Sequence, residues 1–169
     1  PSRDQWVRIS SMHHPRKSFG LVWCDNALYA VGGTMEKSAD SPVSFIECYH
    51  PRKDTWEEIH VIASSELDRD NAGIVESHKI VISGGFRFTS CSVTSSVVEL
   101  NPASGEWREL TSLHTAREGH VAIADDVSIY VVGGKNKSGY LASVERYSKE
   151  TETWNVLAPM NNSRAHACA

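Results

Sequence analysis

A repeat of about 50 residues constrains this chain of 169 residues more than any other feature. Diglycines occur at Gly32-Gly33, Gly84-Gly85 and Gly133-Gly134, and their first residues lie 52 and 49 positions apart. Four tryptophans, Trp6, Trp56, Trp107 and Trp154, keep a similar spacing of 50, 51 and 47 positions. Such a period is typical of chains in which each repeat forms one supersecondary unit and stacks on its neighbours.

Each unit contains four short segments that are predicted to be strands. A β-branched apolar run such as Ile129 to Val132 precedes each diglycine, and a second apolar stretch lies upstream of it. A third segment ends at Tyr49, Leu100 or Tyr147, and a connection of six residues, some of them rich in Pro, Ser and Gly, leads to the tryptophan segment. Because no helical periodicity is present, the pattern predicts an all-β propeller with one four-stranded blade per repeat.

The apolar positions predict which residues are structural. Trp107 and Leu110 are an odd number of positions apart on one strand, so they point to opposite faces of the sheet. Apolar residues on both faces indicate that each sheet lies between two others. We therefore expect the four repeat tryptophans in the core and the diglycines at crowded strand ends, where glycine allows close backbone approach.

The third unit resembles the kelch repeat. The resemblance rests on Arg117, Ile129 to Gly134, Val144 to Tyr147, Trp154, and Leu157 to Met160, and it extends over the whole chain. It implies a kelch β-propeller with about three complete four-stranded blades and partial blades at both ends.

The same resemblance implies the boundaries of the repeats. We expect the last strand of a preceding blade in 1–12, kelch repeats in 13–60, 61–111 and 112–158, and the start of a further repeat in 159–169. The middle unit is expected to be the least regular, because Val81 and Val98 replace a tyrosine and a glutamate of the pattern.

Composition and cysteine usage limit the partners and the compartment. Lys and Arg total 17 against 21 Asp and Glu, which gives a net charge of −4 and no basic stripe for nucleic acid. No apolar run reaches the ~18 residues of a membrane span, residues 1–12 lack a signal-peptide core, and no Cys-x-x-Cys pair is present. We therefore expect a cytoplasmic protein that binds neither nucleic acid nor membrane, with the cytoskeleton and the nucleus as alternatives.

Candidate catalytic residues are few. His13-His14 with Glu36 or Asp40 are the candidate metal ligands, but no His-x-x-x-His spacing supports them. A few kelch propellers are copper oxidases, and this remains a weaker alternative implied by the resemblance. We predict no catalytic site, cofactor or metal. The charged repeat positions are instead expected to satisfy hydrogen bonds inside the fold: Arg16, Arg117, Arg164, Glu47 and Glu145.

The loops after the diglycines and after the repeat arginines differ most between units, and both sets are predicted to open at the same end of the propeller. Phe86, Arg87 and Phe88 are the strongest anchor, because aromatic and arginine side chains dominate binding hot spots. The predicted partner-binding residues are Lys17, Ser18, Thr34, Met35, Asp70, Asn71, Phe86, Arg87, Phe88, Glu118, Lys135, Asn136 and His166.

The repeats are similar to those of the BTB-kelch group. This implies a protein-interaction module that recognises substrates for a cullin-based ubiquitin ligase, through a BTB domain outside this sequence. The alternative is a kelch protein that binds actin or organises the cytoskeleton. Blade-sized apolar faces at both ends of the stack are expected to be exposed, so the chain is also expected to self-associate end to end.

Overall fold

The computed structural model of the chain describes residues 5–35, 43, 45–59, 72–76, 78–87 and 90–167. Every regular element in this part of the chain is a strand, which confirms the all-β prediction. Residues 61–70, where we considered a helical turn, lie outside the described residues.

Three antiparallel four-stranded sheets form the body of the protein. The first sheet contains β2 (Gly20–Cys24), β3 (Ala27–Val31), β5 (Ile46–His50) and β6 (Thr55–Ile59). The second contains β7 (Ala72–Glu76), β8 (Lys79–Ser83), β11 (Val97–Leu100) and β12 (Trp107–Leu110). The third contains β13 (Val121–Ala124), β14 (Ser128–Val132), β17 (Val144–Ser148) and β18 (Thr153–Leu157).

Three short ladders lie beyond the ends of these sheets. They pair β1 (Arg16–Lys17) with β4 (Thr34–Met35), β9 (Phe86–Arg87) with β10 (Ser92–Val93), and β15 (Lys135–Asn136) with β16 (Gly139–Tyr140).

The strands of each sheet follow one another in space as they do along the chain. The first strands of neighbouring sheets lie side by side, β2 against β7 and β7 against β13, so the sheets radiate from an inner row of strands. Local sequence explains the tight turns. Asp25 and Asn26 join β2 to β3 with φ values of 48° and 62°. The two-residue hairpin turn that matches the twist of the strands requires positive φ at both of its residues.

Apolar clusters fill the spaces between the sheets. One contains Val22, Val31 and Ile46 of the first sheet together with Ile80 and Leu100 of the second. A second cluster joins the second sheet to the third. Trp107 packs against the first cluster and Leu110 against the second, which confirms that they cover opposite faces of one sheet.

The four repeat tryptophans differ in burial. Trp154 is 5% exposed, whereas Trp56 and Trp107 are only half-buried. Trp6 is 104% exposed, and its place in the core of a preceding repeat stays a prediction. Residues 5–12 form no strand and pair with none of the described strands. Their assignment to a preceding repeat stays a prediction.

Two of the tryptophans make the same hydrogen bond to the preceding repeat. The indole Nε1 of Trp56 donates to the carbonyl of Ser10 at 2.9 Å, and that of Trp154 donates to the carbonyl of Thr111 at 2.7 Å. Ser10 and Thr111 each lie four residues after a repeat tryptophan. The bond therefore ties the outer strand of a sheet to the segment that leads into it.

The first and the third repeat each contain a buried arginine–glutamate ion pair. Arg117 Nη2 donates to Glu145 Oε1 at 2.6 Å, and Arg16 pairs in the same way with Glu47. Burial lowers the pKa of both guanidinium groups, and the partner carboxylates oppose this shift. The predicted structural role of these four residues is confirmed, whereas the exposed Arg164 has no ion pair among the described residues.

The middle sheet lacks this pair. Val98 stands where the other sheets have glutamate and is buried in the first apolar cluster.

The junction of the second and third sheets holds another buried polar contact, in which Ser83 Oγ and His120 Nε2 share a hydrogen bond of 2.9 Å. Burial, reinforced by the charge of Arg117, lowers the pKa of His120 to about 3.

His120 is expected to make the protein less stable as the pH falls from about 6.5 towards about 3. Its pKa is lowered in the folded state, so the unfolded chain binds more protons in this range and acid favours unfolding. Above pH 6.5 this histidine adds no pH dependence. Urea unfolding at about pH 5 and about pH 7.5 should show a larger loss for the natural chain than for His120→Asn. Equal losses in the two proteins would contradict the prediction.

The outermost sheet faces expose apolar residues, among them Leu21 and Trp23 on the first sheet and Ile123 on the third. End-to-end self-association stays a prediction. The carbonyl of Arg164 already accepts from Gly134 N, as the carbonyl of Arg117 accepts from Gly85 N. The segment around Arg164 therefore occupies the place that the arginine segment of a following sheet would take. A second copy stacked in register on the third sheet would have to displace either this segment or its own arginine segment.

Candidate functional site

The loops after the diglycines and the segments after the repeat arginines meet at one end of the sheets, here called the loop end. In the first sheet Lys17 pairs with Thr34, and in the third Glu118 pairs with Lys135. The opposite ends of the same strands carry the tight turns, here called the turn end. The sequence prediction that both loop sets open at one end agrees with these pairings.

Main-chain hydrogen bonds join the loops of the second and third sheets to the arginine segments that follow them. Arg117 N donates to the carbonyl of Thr94, and Arg164 N donates to that of Leu141, at 3.1 Å in both cases. Each bond links a loop of one sheet to the arginine segment of the next repeat. The loops of the second and third sheets therefore form a connected surface with the arginine segments that follow them, rather than a set of independent turns.

The diglycines make this connection possible. A Cβ atom on Gly84 would lie 2.4 Å from the carbonyl oxygen of Arg117, and one on Gly133 would lie 2.5 Å from that of Arg164. Both glycines also have positive φ, 55° and 67°, which L side chains rarely adopt. The structural role predicted for these diglycines follows from their contacts.

The predicted partner-binding residues fall into three classes of exposure. Lys17, Ser18 and His166 are exposed, whereas Met35, Phe86, Arg87, Lys135 and Asn136 are half-buried. Asp70, Asn71 and Phe88 lie outside the described residues. The loop ladders hold Lys17, Met35, Phe86, Arg87, Lys135 and Asn136 at the loop end, and His166 joins them through the hydrogen bond from its N to the carbonyl of Gly119.

Thr34 and Glu118 are buried, with exposures of 2% and 8%. Glu118 lies beneath Lys135, whose Nζ is 3.7 Å from Glu118 Oε1. Both side chains therefore offer a partner little surface, although the sequence placed them in exposed loops. Their burial arises because the loop strands pair with each other and fold over these positions.

Sequence reasoning missed two exposed residues of the third loop ladder. Lys137 is exposed and Tyr140 is 66% exposed, on either side of Gly139, whose φ is 113°. The signal in the sequence was the Asn136 to Gly139 run, which is typical of a tight hairpin. Recognising a hairpin there would have placed Lys137 at its tip and Tyr140 on its second strand.

The candidate metal ligands make other contacts. His13 N donates to Glu47 Oε1 at 2.7 Å, and His14 Nε2 lies 2.8 Å from Glu58 Oε1. Glu36 and Asp40 lie outside the described residues. In the part of the chain that the structure describes, no three His, Cys, Asp or Glu side chains are grouped as metal ligands would be.

One cysteine–tyrosine neighbourhood exists, but it is part of the core. Tyr29 and Cys48 face each other on β3 and β5, and both are buried in the first apolar cluster with Cys24. Burial raises the pKa of the Cys24 thiol to about 11 and also raises the pKa values of Cys48 and Tyr29. Such thiols are protonated at neutral pH, and their environment is that of structural cysteines.

No helix that could cross a membrane is found among the residues with described positions.

Comparisons with known proteins agree on one family. The family model described as the KLHDC2/KLHL20/DRC7 Kelch-repeats domain matches residues 14–169. Kelch-like protein 26 of Danio rerio is 29% identical over 171 residues, and Kelch-like protein 36 of Bos taurus is 28% identical over 175. Both alignments cover 99% of this chain and 27% of the relative, so the chain spans about a quarter of their length.

A viral relative and a solved structure extend the comparison. Kelch repeat and BTB domain-containing protein 1 of Vaccinia virus (strain Copenhagen) is 26% identical over 158 residues, covering 92% of this chain and 27% of the relative. The solved structure titled "Structure of YjhT" superposes with a TM-score of 0.82 at 15% identity, covering 95% of this chain and 57% of that one. At this identity the likeness shows a shared fold.

Proposed function

This chain belongs to the kelch-repeat family and has the fold of a kelch β-propeller, and from that premise we propose that its loop end binds another protein. The observation that carries the proposal is the connected surface at that end. Rigid sheets hold loops that differ in chemistry from repeat to repeat, such as Met35, Phe86-Arg87 and Lys137 to Tyr140. Binding residues are concentrated on loops that a rigid scaffold positions.

We further propose that the bound protein is a substrate for ubiquitination, and that this kelch unit serves a cullin-based ligase. The support is similarity to kelch-like proteins and to a relative whose name includes a BTB domain. The BTB domain of such an adaptor would lie outside these 169 residues. No cofactor or catalytic residue takes part in this function.

Site-specific photo-crosslinking in cells tests the binding surface. A photoreactive amino acid replaces Met35, Phe86 or Tyr140 at the loop end, and Lys53 or Glu150 at the turn end serves as the matched control. We expect proteins to be crosslinked from the loop-end positions only. Equal crosslinking from both ends, or crosslinking from the turn end alone, would contradict the proposal.

The ligase role has a separate test. A cullin that co-purifies with the complete protein, together with loss of ubiquitin from the crosslinked partner when the cullin is depleted, would support the adaptor role. Co-sedimentation with F-actin and no associated cullin would instead establish the cytoskeletal alternative.

A further inference from the structure

The outer strand of the third sheet has a free edge. β18 pairs with β17 on one side, and none of the described strands pairs with its other side. The carbonyl of Trp154 accepts from His114 Nε2 at 3.0 Å, so this carbonyl points away from β17. Because the hydrogen-bonding direction alternates along an antiparallel strand, the N–H and the carbonyl of Val156 also point to the free edge.

The register of the sheet gives the same direction independently. Lys149 N donates to the carbonyl of Val127, next to β14, so Lys149 and every second residue before it bond towards β14. Arg146 lies between those residues and bonds towards β18, where its partner is Asn155. Asn155 therefore faces β17, and its neighbour Val156 faces the free edge.

The other two sheets carry a charge where β18 has Val156. The register places Glu58 on β6 and Glu109 on β12 at this repeat position. β18 is also the only one of the three outer strands without a charged side chain, since its sequence is Thr-Trp-Asn-Val-Leu. Edge strands commonly use charged residues to prevent pairing with another chain. The third sheet therefore lacks a protection that the first two have.

Val156 presents an apolar side chain at this edge. It is 64% exposed, although it lies on the same face of β18 as Trp154, which is buried between the second and third sheets. A further sheet stacked on the third would cover the opposite face, which carries Asn155 and Leu157. The exposure of Val156 therefore does not depend on whether another repeat follows.

We propose that the free edge of β18 pairs antiparallel with β18 of a second copy of this chain. A twofold axis passes between the two Val156 residues, which face each other and exchange two main-chain hydrogen bonds. The hydrogen bond between His114 and Trp154 stays intact, because this pair uses only the N–H and the carbonyl of Val156. The two sheets of four strands then form one continuous sheet across two molecules.

The charge pattern favours a second copy at β18 and disfavours one at the other two outer strands. Twofold pairing at the same position of β6 or β12 would bring Glu58 or Glu109 against its own copy, and directly opposed like charges are destabilising. At β18 the opposed residues are two valines, a β-branched pair that suits a sheet. An uncharged strand of this kind is complementary to itself, as a twofold contact requires.

The pairing leaves both loop ends open. β18 runs from the turn end to the loop end, so antiparallel pairing points the two loop ends in opposite directions. The dimer therefore presents one loop end on each side, and this inference goes beyond the function proposed for that surface. Because one strand of five residues buries little area, the dimer forms only at high protein concentration.

Sedimentation velocity of the 169-residue chain over a range of concentrations tests the proposal. We expect a reversible monomer–dimer equilibrium that Val156→Glu weakens by at least about tenfold, because it opposes two carboxylates. Val156→Thr keeps an uncharged β-branched residue and should stay within about threefold. Trp23→Glu, on the outer face of the first sheet, controls for end-to-end stacking and should stay within about twofold. The circular dichroism spectrum of each variant reports its folding.

Crosslinking locates the contact. The background carries Cys91→Ser and Cys168→Ser, and its two remaining cysteines are buried. The Cα atoms of an opposed hydrogen-bonded pair lie about 5.5 Å apart, so a short bismaleimide should join two copies of Val156→Cys. Glu57→Cys on β6, where Glu58 is retained, and Lys53→Cys at the turn end are the controls and should stay monomeric.

Several outcomes would overturn the proposal. They are the absence of a dimer at the highest soluble concentration, equal dimerisation of the natural chain and Val156→Glu, and equal crosslinking of Val156→Cys and Glu57→Cys. Association that Trp23→Glu abolishes and Val156→Glu does not would assign the contact to end-to-end stacking instead. None of these measurements involves the loop end, so their failure leaves the proposed function to its own crosslinking test.

Discussion

Replacing Trp154 with alanine is expected to lower the free energy of unfolding by about 3–5 kcal/mol. Trp154 is 5% exposed in the cluster between the second and third sheets, and its ring centroid lies 5.2 Å from that of Tyr147. The substitution leaves a cavity there and removes the hydrogen bond from Nε1 to the carbonyl of Thr111. Urea unfolding followed by circular dichroism measures the loss.

Val156→Ala is the matched control, because Val156 lies on the same strand as Trp154 but is 64% exposed. Its substitution is expected to change the free energy of unfolding by less than about 0.5 kcal/mol. Trp154→Phe keeps a ring but removes the indole donor and should lie between the two. Similar losses for Trp154→Ala and Val156→Ala would show that burial does not decide the loss of stability.

Glu145→Ala is expected to destabilise the protein by about 3–5 kcal/mol, because it leaves a buried arginine without its counter-charge. The Arg117 side chain is fully buried, and Glu145 also accepts from the backbone N of His114 at 2.7 Å and of Thr115 at 3.0 Å. Three donors would lose their acceptor together. Glu47→Ala in the first sheet should have a similar effect, because Glu47 accepts in the same way from His13.

Glu57→Ala serves as the control for this pair of substitutions. Its carboxylate lies 3.1 Å from His50 Nε2, but the side chain is 62% exposed, and exposed ion pairs contribute at most about 1 kcal/mol. Equilibrium unfolding of the three variants compares the sites directly. A loss of less than about 1 kcal/mol for Glu145→Ala would show that the buried pair is not required for stability.

Much of the fold could be predicted from local patterns. The strands before the diglycines, the hairpin turns and the opposite orientation of Trp107 and Leu110 depend on residues close in the chain, and the structure confirms them. The structural role of Arg117 and Glu145 was also predictable, because charged residues at a fixed repeat position must find partners inside the fold.

Burial at the loop end could not be predicted in the same way. Thr34 and Glu118 were placed among exposed binding residues, yet they are covered by loop strands that pair across the sheet end. Lys137 and Tyr140 were missed, although they are exposed on the hairpin. Exposure in a loop depends on which segments fold over it, and these segments lie far apart in the chain.

The sequence by itself determined the repeat, the strand class and the kelch family, because these follow from spacing and from side-chain alternation within about 50 residues. Only the tertiary structure decided that Trp154 is buried whereas Trp56 and Trp107 are half-buried, and that Ser83 meets His120 between two sheets. The physical reason is that burial and charge environment depend on neighbouring sheets, and equal positions in successive repeats do not have equal neighbours.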